Sequence, residues 1–258
     1  MKAREIRELM EREGHWVNWN RTCDQFLFGD PETEVKGIAV AWTATMSALQ
    51  EARKTGCNVF VTHEPVDLME SAMLEHDHVF VEKREWLEKN RFVLLRCHDF
   101  WDDYPEVGIH GAWAAQLGLP GPPVEQDRFY EVHEVGKTTL GELAGRILER
   151  VRPLGQDAVH VVGHLDAPVT KLAIGTGAIT NFKFMRGMGG DVLLVTDDGV
   201  SLWTAGPWSL DMGVPLIIVN HATAEEPGMV TLAEYFRRRF PRVKVVHVPI
   251  GCLYTTLT

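Results

Sequence analysis

The chain has no closely spaced cysteine pair, no apolar run of membrane-spanning length and no excess of positive charge. Each absence removes a class of function. Cys23, Cys57, Cys97 and Cys252 stand far apart with no CxxC between them, so neither a zinc knuckle nor a dithiol redox motif is written here. The opening stretch MKAREIRELMEREGHW is a charged amphipathic helix pattern without the apolar core of a signal peptide. No segment offers the roughly 20 apolar residues that a membrane span requires, and a soluble, cytoplasmic protein with reduced cysteines is expected. The formal net charge of −10 makes the average surface repel phosphate backbones. The one basic run, Arg237-Arg238-Arg239, follows Thr231-Leu232-Ala233-Glu234, which reads as a capping box opening a helix whose C-terminal dipole those arginines complement. Nucleic acid is therefore not an expected partner.

Nucleotide-binding signatures are missing as well. VGKTTL ends like a phosphate-binding loop, but Glu131 stands where the first glycine belongs, and no strand-loop-helix context precedes it. GTGAITN carries Gly175 and Gly177 but Thr180 in place of a third glycine, which fits a tight strand-to-helix turn better than a dinucleotide site. His160 and His164 lie in a β-rich stretch where a four-residue spacing does not put them on one face; both are taken as structural. Met185 and Met188 read as loop and packing residues, and the eight tryptophans as core or interface.

What is present is an alternation of apolar strand-like runs and amphipathic helix-like runs. Strands are expected at 35–42, 59–62 and 92–97, with helices at 46–54, 81–90 and 111–117. The proline- and glycine-rich stretch LGLPGPPVEQD is the best boundary in a chain of 258 residues, long enough for two ordinary cores. Thr139-Leu140-Gly141-Glu142 is a second capping box, opening the helix ELAGRILERV. Strands then follow at 159–162, 171–174, 192–195, 216–219 and 243–248. The expected architecture is α/β: a first lobe over 1–125 and a second over 126–258, with mostly parallel sheets and a site at strand C-terminal ends in the cleft.

Three of these runs end in a histidine with a carboxylate close behind. They are VFVTHEP (His63, Glu64), VLLRCHDFWDD (His98, Asp99, Asp102, Asp103) and LIIVNHATAEE (His221, Glu225, Glu226). One such histidine is usually a hydrogen-bonded structural residue, but three together, each with a nearby acid, point to a metal or catalytic site. Neutral imidazole and carboxylate are the donors that divalent ions take. Pro65 would break the strand after Glu64, letting His63 and Glu64 turn toward one cavity. His221 and Glu225 are four apart and share a face if a helix begins there.

In this order, FLFGDPETEVKGIAVAW, VTHEP, CHDFWDD, TLGELAGRI, IGTGA, VLLVTDDG and NHATAEE resemble the dinuclear-metal hexameric family called Nif-three-like, also named type 2 GTP cyclohydrolase I homologues, in its short form without an inserted domain. The resemblance spans nearly the whole chain. It implies two divalent ions such as Zn²⁺, Fe²⁺ or Mn²⁺, one held by His63, Asp102 and Glu225 and the other by Glu64, His221 and a bridging Glu225. It implies that Asp102 rather than Asp99 or Asp103 is the ligand, that His98 lies behind the ligands or transfers protons, and that Asp198 stands beside the site. The family has a histidine where Glu64 stands, and the added negative charge favours harder ions alongside Zn²⁺ while weakening their pull on water. A homohexamer is implied. Two functions remain open: a metal-dependent hydrolase acting on a nucleotide or phosphoester as small-molecule substrate, or a non-enzymatic metal-binding ring with a structural or regulatory partner.

Overall fold

Short runs dominated by apolar residues, such as VFVT, VLLR and LIIV, are best satisfied with both faces covered, and each is a fully buried strand. The computed structural model describes residues 1–64, 78–178 and 180–257. The chain divides into two compact units, one formed by Met1–Gly108 with Gly228–Ile250 and the other by Ile109–Pro227 with Gly251–Thr258. The proline- and glycine-rich stretch after Leu117 lies inside the second unit. The role read for Pro65 lies outside the described residues; the strand before it ends at Thr62.

The first unit runs α1 (Arg4–Glu13), β1 (Phe26–Phe28), β2 (Gly37–Ala41), α2 (Met46–Lys54), β3 (Val59–Thr62), α3 (His78–Asn90), β4 (Val93–Arg96) and α4 (Asp99–Asp102). The second runs α5 (Ile109–Leu117), β5 (Glu125–Gln126), β6 (Tyr130–Thr139), α6 (Leu140–Val151), β7 (His160–Val162), β8 (Pro168–Gly175), α7 (Phe182–Gly187), β9 (Val192–Thr196), α8 (Leu202–Met212) and β10 (Leu216–Val219). Helix α9 (His221–Arg239) begins in the second unit and ends in the first, where β11 (Lys244–His247) follows.

The first sheet has the order β1-β4-β3-β2-β11. Its neighbours β4-β3, β3-β2 and β2-β11 are parallel, and only the edge strand β1 is antiparallel. Its core sets Phe60, Leu94 and Phe92 against Leu49 and Ala52 of α2 and Leu87 of α3. The second sheet, β5-β6-β8-β9-β10-β7, has a parallel centre, β8-β9-β10, and antiparallel pairings outside it. The long β6 causes much of this, pairing with β8 over most of its length around an irregularity between Glu134 and Thr138. Gly136, in the middle of VGKTTL, takes φ +73° there, a conformation glycine adopts at little cost. Thr139 then caps α6 with the reciprocal capping box read from sequence. Leu143, Ile147 and Val151 of that helix face Leu172, Ile174, Leu194 and Ile217 of the sheet.

One boundary is corrected. The helix expected to open at Thr231 opens at His221, so Thr231 lies in its interior. The Thr231 hydroxyl donates to the carbonyls of Val107 and Gly228 instead of capping an end. Asp197 supplies the real start by accepting the His221 amide at 3.0 Å. The three arginines do close the helix at its C-terminus.

Candidate metal centre

In the first unit the histidine-bearing turns leave β3 and β4 at their C-terminal ends, and these strands are parallel neighbours. The Trp42 carbonyl accepts both the His63 and Glu64 amides, at 3.1 and 2.8 Å. The Thr62 hydroxyl is 3.2 Å from that same carbonyl and 3.0 Å from the Glu64 carbonyl. Buried Arg96 donates from Nε to the His63 carbonyl at 2.9 Å and reaches Glu64 Oε2 from Nη2 at 3.4 Å. The second turn is held by Asp24, fully buried, which accepts the His98 amide on Oδ1 and the Phe100 amide, at 2.7 Å, on Oδ2. Phe100 and Trp101 of the four-residue α4 are themselves fully buried. They pack among Trp16, Tyr104 and Tyr235, with Trp16 stacked on Phe100 at 5.8 Å. This aromatic anchor fixes the helix that carries Asp99 and Asp102.

The result is a tight group. His63 Nε2 lies 3.3 Å from Asp102 Oδ1, and the His63 and His98 rings stack with centroids 4.5 Å apart. His98 Nδ1 is 3.0 Å from Asp99 Oδ1 and 3.2 Å from Asp102 Oδ2, while its Nε2 is 3.6 Å from Glu64 Oε1. Donor atoms of His63, His98 and Asp102 all fall within 4.8 Å of one another. Burial disfavours a charged His98, yet its bonds to Asp99, Cys23 and Glu64 and the charge of Asp102 hold it far above the ordinary imidazole range. Asp99 is held low, chiefly by its bond to His98.

In the second unit His221 follows β10 and Asp197-Asp198 follow β9, again the C-terminal ends of parallel neighbours. Asp197 accepts the His221 amide on Oδ1 and Asn220 Nδ2, at 2.8 Å, on Oδ2. Asp198 Oδ2 lies 2.8 Å from His221 Nδ1. One helical turn on, Glu225 Oε2 lies 2.9 Å from His221 Nε2. Glu226, only 2% exposed, accepts the Gly251 amide. Burial depresses His221, but Asp198 and Glu225 overcome it and raise it to about 10. His160 and His164 are both exposed.

His63, His98 and Asp102 form a group that could hold a metal ion, and His221 with Glu225 offers two donors of the same kind. His63 Nδ1 is 3.0 Å from the Cys97 carbonyl; a carbonyl only accepts, so this nitrogen carries the hydrogen and the neutral ring keeps a lone pair on Nε2. That lone pair faces the Asp102 carboxylate, and two acceptors stand at this distance only with a proton or a cation to reconcile them. His221 faces Glu225 in the same way, with its other nitrogen on Asp198. Ligating histidines are ordinarily oriented by such a bond at the second ring nitrogen. Space is kept beside the second pair. A Cβ on Gly177 would sit 3.4 Å from Glu225 Oε1 and 3.9 Å from His221 Nε2.

The Duf34/NIF3 (NGG1p interacting factor 3) family model matches residues 1–251. The chain belongs to that family. A Clostridium perfringens protein named GTP cyclohydrolase 1 type 2 homolog is 24% identical over 220 residues, covering 83% of this chain and 82% of its own. Two solved structures share the fold. A Staphylococcus aureus hypothetical protein superposes with TM-score 0.82 at 18% identity, covering 100% of this chain and 99% of its own. A Bacillus cereus protein related to NIF3 gives TM-score 0.81 at 14% identity with the same coverage.

Several residues at these sites carry no sequence signal. Asp24 sits 74 positions before the amide it holds. Arg96 is indistinguishable from a strand-end cation until its bonds to His63 and Glu64 are seen. Asp197 could have been found, because it adjoins Asp198 at the end of an apolar run.

Proposed function

We propose that this chain binds divalent metal through His63, Glu64 and Asp102 in the first unit and His221 and Glu225 in the second, and that it hydrolyses a nucleotide or phosphoester. The observation that carries the metal is the opposition of imidazole nitrogen and carboxylate oxygen in both units, each with the other ring nitrogen occupied. Buried acids are ordinarily paired or coordinate metals, and Glu225 is only 2% exposed.

Divalent ions supply Lewis acidity toward an electrophile and its attacking water. The protein's part is to hold charge and move protons. Asp102 and Glu225 bring negative charge; His63 and His221 bring neutral donors locked in one orientation. His98 is placed for proton transfer, with Nδ1 on Asp99 and Asp102 and Nε2 toward Glu64; held protonated by these acids, it can donate from Nε2 while Nδ1 keeps its carboxylate partners. The relatives' name supports a nucleotide as substrate; a cyclohydrolase reaction would mean attack on a purine ring carbon. Fold likeness alone does not determine the reaction.

A homo-oligomer is supported by one helix. Trp203, Leu210 and Met212 of α8 are 89%, 65% and 57% exposed, and apolar side chains so placed are ordinarily covered by a partner. The same surface favours the second function, a metal-binding ring that acts by assembly.

Metal-replete protein screened against GTP, other nucleotides and generic phosphoesters, with Glu225→Ala as blank, separates the two. Turnover in wild type and none in the blank supports the hydrolase. Equal turnover in both removes it, and full metal with no turnover leaves the assembly reading. Equilibrium ultracentrifugation of wild type and Trp203→Ser measures the oligomer, which the variant is expected to weaken.

A further inference from the structure

We propose that Cys23, His98 and Asp99 form a separate metal position for a thiophilic divalent ion such as Zn²⁺. None of the three is among the five ligands assigned above; an ion here takes His98 Nδ1 and leaves Nε2 for the proton transfer proposed above, so the position does not depend on the hydrolase reading. The Cys23 Sγ lies 3.6 Å from Asp99 Oδ1, and His98 Nδ1 lies 3.0 Å from the same carboxylate oxygen. Their donor atoms all lie within 4.8 Å of one another. A tetrahedral ion with bonds of about 2.3 Å to sulfur and about 2.0 Å to nitrogen and oxygen separates its ligand atoms by roughly 3.3–3.5 Å. The two distances to Asp99 Oδ1 differ from that by only a few tenths of an ångström.

The backbone makes this grouping more than a chance encounter. Residue 24, next to Cys23, is the carboxylate that accepts the His98 and Phe100 amides, the residues flanking Asp99 on the turn that carries the other two ligands. One residue further, the Gln25 carbonyl accepts the Arg96 amide at 2.9 Å, and β1 then pairs antiparallel with β4. The two residues that follow Cys23 thus hold it opposite His98. All three side chains are only partly buried, so an ion can enter from solvent and a fourth coordination place stays open to water.

Sulfur sets the position apart from the nitrogen and oxygen ligands of the two main sets. Thiolate selects Zn²⁺ or Co²⁺ over Mg²⁺ and Mn²⁺. Binding forms the sulfur–metal bond and breaks the S–H bond, and that proton leaves to solvent with any proton on His98 Nδ1. Cys97 is the contrasting case: burial raises its thiol well above the ordinary range, and it is fully enclosed.

Cobalt titration of the metal-free full chain tests this. Wild type is expected to show a thiolate-to-cobalt charge-transfer absorption and to bind one ion more per chain than Cys23→Ser, with Asp99→Asn weakening that ion tenfold or more. Both variants should keep the wild-type circular dichroism. In parallel, Zn²⁺ should slow alkylation of Cys23 at least tenfold, read by peptide mass spectrometry. Absence of the sulfur band in wild type, its persistence in Cys23→Ser, or equal alkylation rates with and without Zn²⁺ would overturn the proposal.

Discussion

The two proposed ligand sets solve one problem in different ways. Each lies where parallel neighbouring strands end, and each leans on a carboxylate that is not itself a proposed ligand: Asp24 holds the His98 and Phe100 amides of the turn that carries Asp102, and Asp197 holds the amide of His221. The second set is local, since His221 and Glu225 share one turn of α9 and Asp197 sits on the adjoining strand end. The first set is assembled from three distant segments, with His63 after β3, Asp102 on α4 and Asp24 before β1. A local set can be positioned by a helix; a dispersed one needs a buried tether and an aromatic anchor.

Removing ligands gives the largest expected effect. His63→Ala and Glu225→Ala should each lower metal affinity by more than the ~10–100-fold typical of residues behind the ligands, while the circular dichroism stays native. Elemental analysis of both purified variants checks it. Unchanged occupancy in either would remove that unit's ligand assignment and break the symmetry between the sets.

Next come the two tethering carboxylates, where the sets should diverge. Asp24→Ala leaves a buried amide, that of Phe100, and a part-buried one, that of His98, without their acceptor, at about 1–3 kcal/mol for a buried group, so a loss of about 2–5 kcal/mol is expected in denaturant unfolding. Asp197 is only partly buried and water can replace it, so Asp197→Ala should cost about 1 kcal/mol. Equal losses would show that the dispersed set does not depend on its tether more than the local one.

That contrast also governs what could be read before the structure. The α/β class, the run VFVT and the helix from Met46 to Lys54 followed from apolar period and turn signals alone, because each is settled by a few neighbouring residues. The pairing of His221 with Glu225 was legible for the same reason. The return of β11 to the first sheet was not, since KVVH names no partner strand. Nor was Asp24: its role exists only once β1 pairs with β4. Thr231 misled because its motif is a valid helix start, while the true start uses an acid from another strand.

A pH series sharpens the comparison further. In metal-free protein His221 is raised from 6.5 to about 10. Its stabilising contribution is therefore fully present below about 6.5 and lost as pH rises through about 10. Metal competes with that proton, so the stabilisation that metal adds should grow over the same interval. His98 is held higher still, which leaves this window to the second set. Thermal unfolding with and without Zn²⁺ should show a gap that widens toward high pH, and His221→Asn should flatten the metal-free slope. A metal-free protein equally stable across the window would contradict the charged His221.

The smallest effect falls on the space beside the second set. Gly177 takes φ +76°, and its carbonyl accepts the Thr196 hydroxyl at 2.6 Å and the Thr180 hydroxyl at 3.2 Å, so the loop cannot easily swing away. Gly177→Ala should cost about 1–2 kcal/mol from the left-handed backbone alone, whether or not metal is bound. If an ion occupies the space before Glu225 and His221, the added methyl also crowds it, and affinity should fall severalfold beyond that strain. Comparing unfolding of metal-free and metal-loaded Gly177→Ala separates the two terms: an equal loss in both states means only the backbone was disturbed, and a larger loss in the loaded state locates the ion beside Glu225.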